Sequence, residues 1–286
     1  MITETQDTVY FQRMKSSLGD KSVILDYLVP GTVLDFGAGG GDLSEAIRLH
    51  NYDVIAVDGS PAAIQKIREN YPNVNAVQSM GHELLQHFNE NSFDNIVCCS
   101  ILHEVYSYGD DRNLLYDLTN ISRMLEIFGK LLKPGGRLII RDGVAPADKD
   151  KKAVIHFTTD DGMKFFNAYR NSAPFYSNDD TSFGKVHFEV VDDHTIRGSM
   201  SSMMEFLYTY TWGWGSIERE SQEFYGVLSL DDYSDMLRVN SWDVLHSEEY
   251  LQQGYVDHLS KLVNIVDDKG NEVPFPPSNM LIVAEK

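Results

Sequence analysis

Asp35, Gly37, Gly39 and Gly41 alternate along the stretch Val33-Leu34-Asp35-Phe36-Gly37-Ala38-Gly39-Gly40-Gly41-Asp42. Glycines at that density let a ligand lie against bare backbone. Just beyond them, Leu43, Ala46, Ile47 and Leu49 recur at helical spacing, with Asp42 placed to cap the helix and Glu45 to cap back. The loop therefore opens onto a helix N-terminus, whose first N–H groups lack partners within the helix. About 20 residues further on, Asp58 closes an apolar run, a position from which a carboxylate accepts hydrogen bonds from both hydroxyls of a ribose. A third group, His103 beside Glu104, suits proton transfer, since a neutral imidazole takes a proton from an attacking hydroxyl or amine. Glu104 would orient that imidazole or face a cationic acceptor.

Those groups need strands and helices to hold them. Val33 and Leu34 open a short apolar run bounded by Gly31, the pattern of a buried parallel strand that the glycines stop. Asp53 to Asp58 reads as a second strand, after which Ser60 can cap a helix and Pro61 can occupy its first turn. Val74 to Gln78 is the expected third strand and Phe93 to Ser100 the fourth, which runs into His103. Strand ends at this edge line the crevice where open α/β sheets bind ligands, so Ser100 joins the candidates. A long helix is expected from Asp110 or Asp111 through Leu114, Leu115, Leu118, Ile121, Leu125 and Phe128. Lys133-Pro134-Gly135-Gly136 then turns the chain into a fifth strand through Leu138 and Ile140.

The glycine spacing decides between ligands. The dinucleotide fingerprint would put glycines at 37, 39 and 42, and position 42 is Asp. Asp35-x-Gly37-x-Gly39-x-Gly41, Asp58 and Lys-Pro-Gly-Gly before an apolar strand together resemble the class I S-adenosylmethionine-dependent methyltransferases. The resemblance covers residues 31–143 with specific motifs and the last strands loosely. It implies a doubly wound α/β fold: a mostly parallel seven-stranded sheet with an antiparallel last strand, here with an α+β insertion after strand five. It also implies that the loop wraps the methionine half of S-adenosylmethionine, where Asp42 faces no phosphate, and that Asp58 holds the ribose. Many members carry an acid beyond strand three that meets the adenine amino group. Here Ser79, Met80 and Gly81 stand there, so Ser79 as a hydrogen-bonding group and Met80 as a packing surface are the substitutes. His103 resembles the histidine that follows strand four in many small-molecule members. Neither the Asn/Asp-Pro-Pro-Tyr/Phe sequence of base amino methylation nor a Pro-Cys pair for C5-cytosine attack occurs.

The remaining chain bounds the substrate. With 24 Lys and Arg against 43 Asp and Glu, the net charge of −19 repels polyanions on average and lowers the odds of a nucleic-acid acceptor. No apolar run approaches the ~20 residues of a membrane span. Met1 to Tyr10 is polar without a signal-peptide core, so a cytoplasmic protein with no membrane association is expected. Cys98 and Cys99 are neighbours whose side chains point to opposite faces of a strand, and no metal site is expected. Residues 1–30 read as a helical cover that lies over the cofactor or packs on the sheet edge. Residues 31–143 and 241–286 read as the cofactor-binding core and 144–240 as an insertion. Within it Asp160 to Tyr169 reads as a helix, and Val186 to Val191 with Thr195 to Ser199 as a hairpin. Tyr208, Tyr210, Trp212 and Trp214 are the expected aromatic wall of an acceptor-selecting lid, with Arg219 to hold an acceptor carboxylate or phosphate.

The reading is a methyltransferase acting by in-line displacement on an oxygen or nitrogen of a small or medium-sized acceptor, with S-adenosylhomocysteine as the product. Two alternatives stay open: methylation of RNA or protein with a partner's help, and a non-catalytic S-adenosylmethionine-binding protein. Oligomeric state is open.

Overall fold

The structure, a computed structural model, describes residues 18–179 and 185–286. These cluster into two compact units: one holds the chain up to Asp142, Asp232–Glu248 and Met280–Lys286, the other Gly143–Asp231 and Glu249–Asn279. Residues 249–279, read from sequence as part of the core, thus group with the second unit. Of the helical cover expected over residues 1–30, residues 1–17 lie outside the described residues. From Leu18 onward, helix Leu18–Lys21 passes into a 3-10 turn, Ser22–Tyr27.

In chain order the described strands are β1 (Thr32–Phe36), β2 (Asp53–Asp58), β3 (Asn75–Gln78), β4 (Phe93–Cys99), β5 (Leu132–Gly143), β6 (Lys152–Phe157), β7 (Phe188–Asp192), β8 (Thr195–Ser199), β9 (Asp243–Tyr250), β10 (Val263–Val266) and β11 (Asn279–Glu285). The first unit is built on a seven-stranded sheet in the order β3-β2-β1-β4-β5-β11-β9. β1 pairs in parallel with both β2 and β4, β3 and β5 extend this parallel pairing outward, and the sheet ends with an antiparallel strand. Val33, Leu34, Asp35 and Phe36 are all buried, as a central parallel strand covered on both faces requires.

The helices follow from apolar stripes. Leu118–Leu131 buries Ile121, Met124, Leu125, Phe128 and Leu131, one face at helical spacing. Its start corrects the expectation of a helix from Asp110 or Asp111. Gly109, Asn113 and Tyr116 all have φ between 54° and 73°, which breaks the helix, and Asp117 caps the true one by accepting Thr119 N–H at 2.8 Å. Asp110 and Asp111 instead pair with Arg123, and Asp110 with Arg112 as well. A second correction concerns helix Asp42–Leu49. Its N-cap is Gly41, left-handed at φ 84°, with no side-chain cap. Asp42 accepts the Tyr71 hydroxyl at 2.5 Å, and Glu45 pairs with Arg48. Ser60 does cap helix Pro61–Asn70 as expected. Lys133 to Gly136 lie within β5, where the register against β4 shifts and Gly135 takes φ 77°.

The second unit carries a four-stranded antiparallel sheet, β10-β6-β8-β7. The β7–β8 hairpin and helix Asp160–Ser172 fall where the sequence puts them. Helix Met200–Trp212 packs Phe206 against a shell of rings: Tyr210 at 5.2 Å, Tyr169 at 5.4 Å, Phe166 at 5.7 Å and Phe157 at 5.8 Å between centroids. Such edge and stacked contacts make an aromatic core of this unit's own.

Candidate functional site

The carboxyl ends of β1, β2 and β4 meet where the strand order turns outward on either side of β1, the place where open α/β sheets bind ligands. After β1 the backbone folds back on β2: Gly37 and Ala38 N–H groups donate to Val57 O at 2.8 and 3.0 Å. Gly37, Gly39 and Gly41 all take positive φ, at 74°, 54° and 84°, which costs a side-chain-bearing residue strain. A Cβ on Gly37 would also collide with Ile101. Asp58 at the end of β2 locks the turn from below. Its Oδ2 accepts Gly39 N–H and its Oδ1 accepts Ser60 N–H, both at 2.8 Å.

Asp35 sits beneath this loop, buried, with the Ser44 hydroxyl donating to it at 2.5 Å. Burial pushes its carboxyl up to about 6, against the opposing pull of Ser44 and of the Lys21 charge. Beside it lies a hollow of ≈ 370 Å³, counted to its open mouth, lined by the glycine loop, Asp35, Asp42, Cys99 and Lys21.

The candidate proton acceptor is placed by a residue that sequence reasoning missed. Asp142, near the end of β5, is buried, and its Oδ2 accepts the N–H groups of Ile101, Leu102 and His103 at 3.1, 2.7 and 3.3 Å. That caps helix Leu102–Tyr108 with a negative charge at its positive end. The same carboxylate's Oδ1 meets His103 Nδ1 at 2.6 Å, with both side chains buried. An ionised carboxylate only accepts hydrogen bonds, so in the neutral imidazole this contact sets the proton on Nδ1 and leaves the lone pair on Nε2. Asp142 grips Nδ1, and Glu104, half-buried on the next position of the helix, brings a carboxylate oxygen within 4.8 Å of a ring nitrogen of His103. The signal that pointed to Asp142 was weak: an acid at the end of an apolar strand, thirty-nine residues from its histidine.

The other candidates divide. Ser79 is buried and its hydroxyl donates to Met80 O at 3.0 Å. Met80 is 47% exposed over Gly59, whose added Cβ would lie 2.6 Å from its sulfur. Ser100 holds φ 57° at the end of β4, donating its N–H to Arg141 O at 2.7 Å and accepting Arg141 Nη1 at its hydroxyl at 3.2 Å. In the second unit, the expected aromatic wall is not assembled. Residues two apart on a helix do not share a face, and Tyr208 and Tyr210 are both buried within their own unit. The Tyr208 hydroxyl donates to Ser278 O at 2.7 Å and accepts Val144 N–H at 3.2 Å. Tyr210 packs on Phe165 at 4.8 Å. Trp212 is half-buried, while Trp214 is 49% exposed and donates Nε1–H to Asp161 at 2.9 Å. Arg219 lies 3.5 Å from Glu223, one helical turn on.

Residues 30–174 match a family model described as a methyltransferase domain. No curated protein matches the chain. Among solved structures, a SAM-dependent methyltransferase from Archaeoglobus fulgidus aligns with a TM-score of 0.52 at 13% identity over 96% of this chain and 94% of that one. An S-adenosylmethionine-dependent methyltransferase from Mesorhizobium loti gives 0.52 at 14% identity over 93% and 96%. A Haloferax volcanii putative methyltransferase in complex with the Trm112 methyltransferase activator gives 0.50 at 12% identity over 100% and 99%. At these identities the likeness is one of fold.

Proposed function

The chain belongs to the methyltransferase-domain family, whose model spans residues 30–174, and on that premise we propose that this S-adenosylmethionine-dependent methyltransferase methylates an oxygen or nitrogen of a small or medium-sized acceptor by in-line displacement. The observation that carries the acceptor reading is the buried Asp142–His103 pair, an oriented base beside the carboxyl end of β4.

The first unit suits the cofactor. Its glycine loop is a cradle that a Cβ on Gly37 would fill, Asp35 and the hollow lie under it, and Asp58 stands at the ribose position of the motif with both oxygens fixed by backbone N–H groups. When bound, S-adenosylmethionine supplies a methyl group on a positively charged sulfur, reactive enough that no protein nucleophile is required. The protein's own share is alignment, exclusion of water and removal of a proton. Alignment of acceptor and methyl group can supply ~7–11 kcal/mol of the barrier. His103 Nε2 takes the proton that the acceptor oxygen or nitrogen sheds, and Asp142 stabilises the imidazolium that results. Ser79 and Met80 are assigned to the adenine side and Ser100 to the crevice. Acceptor selection is assigned to the second unit, where Trp212, Trp214 and Arg219 reach the surface, whereas Tyr208 and Tyr210 serve packing.

The test is formation of S-adenosylhomocysteine by the purified protein with a panel of small hydroxyl and amine acceptors, for wild type and His103→Asn. Turnover with a small acceptor that falls ~10²–10⁴-fold in the variant, with cofactor affinity kept, is the expected result. Activity that appears only with RNA or a protein, or only after a partner is added, would overturn the small-acceptor reading.

A further inference from the structure

The short helix Leu18–Lys21 is tied to the sheet of the first unit by a buried contact that the catalytic reading does not use. Arg141, on β5 one residue before Asp142, forms an ion pair with Asp20 and is itself only 3% exposed. Its other end reaches the Ser100 hydroxyl. A guanidinium held at both ends fixes the turn that carries Asp20, and the next residue along that turn is Lys21.

Lys21 lines the hollow under the glycine loop, in company with Asp35, Asp42, Gly37 and Gly40. Its side chain is half-buried, and among the described residues its ammonium has neither an ion-pair nor a hydrogen-bond partner. Of the two acids in the hollow, Asp42 already accepts the Tyr71 hydroxyl, while buried Asp35 has Ser44 at one oxygen. Lys21, Asp35 and Cys99 line the same hollow. One wall thus offers a cation and another a carboxylate, with unhindered glycine backbone between them. That is the complement of an α-amino acid zwitterion, with its carboxylate toward Lys21 and its ammonium toward Asp35.

We propose that Lys21 is the residue that selects the amino-acid end of the cofactor, binding its carboxylate, and that the Asp20–Arg141 ion pair holds Lys21 in place for this. The proposal rests on the cofactor assignment above. It distinguishes ligands that keep the carboxylate, such as S-adenosylmethionine and S-adenosylhomocysteine, from 5′-methylthioadenosine, which lacks the whole amino-acid end.

Calorimetric titration of wild type, Lys21→Met and Lys21→Arg with S-adenosylhomocysteine and with 5′-methylthioadenosine tests it without turnover. The expected result is a loss of about 10- to 100-fold for S-adenosylhomocysteine in Lys21→Met, the scale of a hydrogen bond between charged groups. 5′-Methylthioadenosine should bind within about twofold of wild type, and Lys21→Arg should restore most of the loss. An equal loss for both ligands would mean that the turn merely collapses, and no loss for either would mean that Lys21 does not reach the ligand; each result overturns the proposal. If wild type binds neither ligand while folded, the cofactor assignment itself fails, a result separate from the effect of Lys21.

Discussion

Replacing Asp142 by Asn changes one atom and reverses the polarity of one hydrogen bond. In the wild type, Oδ2 accepts three backbone N–H groups at 2.7 to 3.3 Å and Oδ1 meets His103 Nδ1 at 2.6 Å. In Asp142→Asn the new amide would keep its carbonyl oxygen on the three N–H groups, because turning it round would set its amide hydrogens against them. Its NH₂ group must then face Nδ1, which obliges that nitrogen to accept and moves the imidazole proton to Nε2. The base loses its lone pair at the atom that needs it. A wrong tautomer of this kind costs about 10⁴ in kcat in the serine-protease triad, and general-base catalysis as a whole contributes ~10²–10⁴, so a fall of about 10³ in kcat is expected. Stability should fall by about 1–2 kcal/mol, since hydrogen bonds to a charge become neutral ones and the helix Leu102–Tyr108 loses an anion at its N-terminus. The assay is the initial rate of S-adenosylhomocysteine formation across pH, with cofactor affinity measured in parallel and the imidazole tautomer read by nitrogen NMR. A kcat within about threefold of wild type, with the proton still on Nδ1, would refute the reasoning.

Two further predictions concern one group in each unit. Burial pushes Asp35 up to about 6, above its usual value of about 4, so the folded protein binds that proton more tightly than the unfolded chain. The stability linked to this carboxyl is therefore fully present below pH ~4 and lost as pH rises through ~6, by about 3 kcal/mol for two pKa units. Unfolding free energies of wild type minus Asp35→Asn, measured by urea titration without ligand, should fall across that window and level off above it; a difference that stays flat with pH would count against the buried carboxyl. In the second unit, Tyr208→Phe removes the hydroxyl that serves Val144 N–H and Ser278 O and should cost ~1–3 kcal/mol with acceptor KM unchanged, whereas a shift in KM without loss of stability would restore Tyr208 to the acceptor wall.

The glycine spacing at 37, 39 and 41, Asp58 and the Lys133–Gly136 run, which proves to be an irregular start of β5, made the first unit legible because parallel βα units encode their strands, loops and helix stripes locally. Boundaries were less so. The helix expected from Asp110 begins after Asp117 because residues 109, 113 and 116 adopt left-handed backbone, a choice for which Asn113 and Tyr116 give little local sign. In the second unit, the hairpin at Phe188–Ser199 was visible in its alternation, but β6 and β10 pair residues 154–157 with 263–266, a separation that no window along the chain can span.

The sequence by itself determined the cofactor loop, since an Asp-x-Gly-x-Gly-x-Gly run after a strand admits few backbone paths and few ligands. It also determined that His103 follows β4. Only the tertiary structure decided what those residues meet. Asp142 reaches His103, and Arg141 reaches Asp20, because β4 and β5 pair in parallel and bring Cys99 opposite Arg141. Tyr208 and Tyr210 look alike in sequence to aromatics that face a ligand. Burial by their own unit gives them to its core instead, because whether a ring is covered depends on what packs against it from far along the chain.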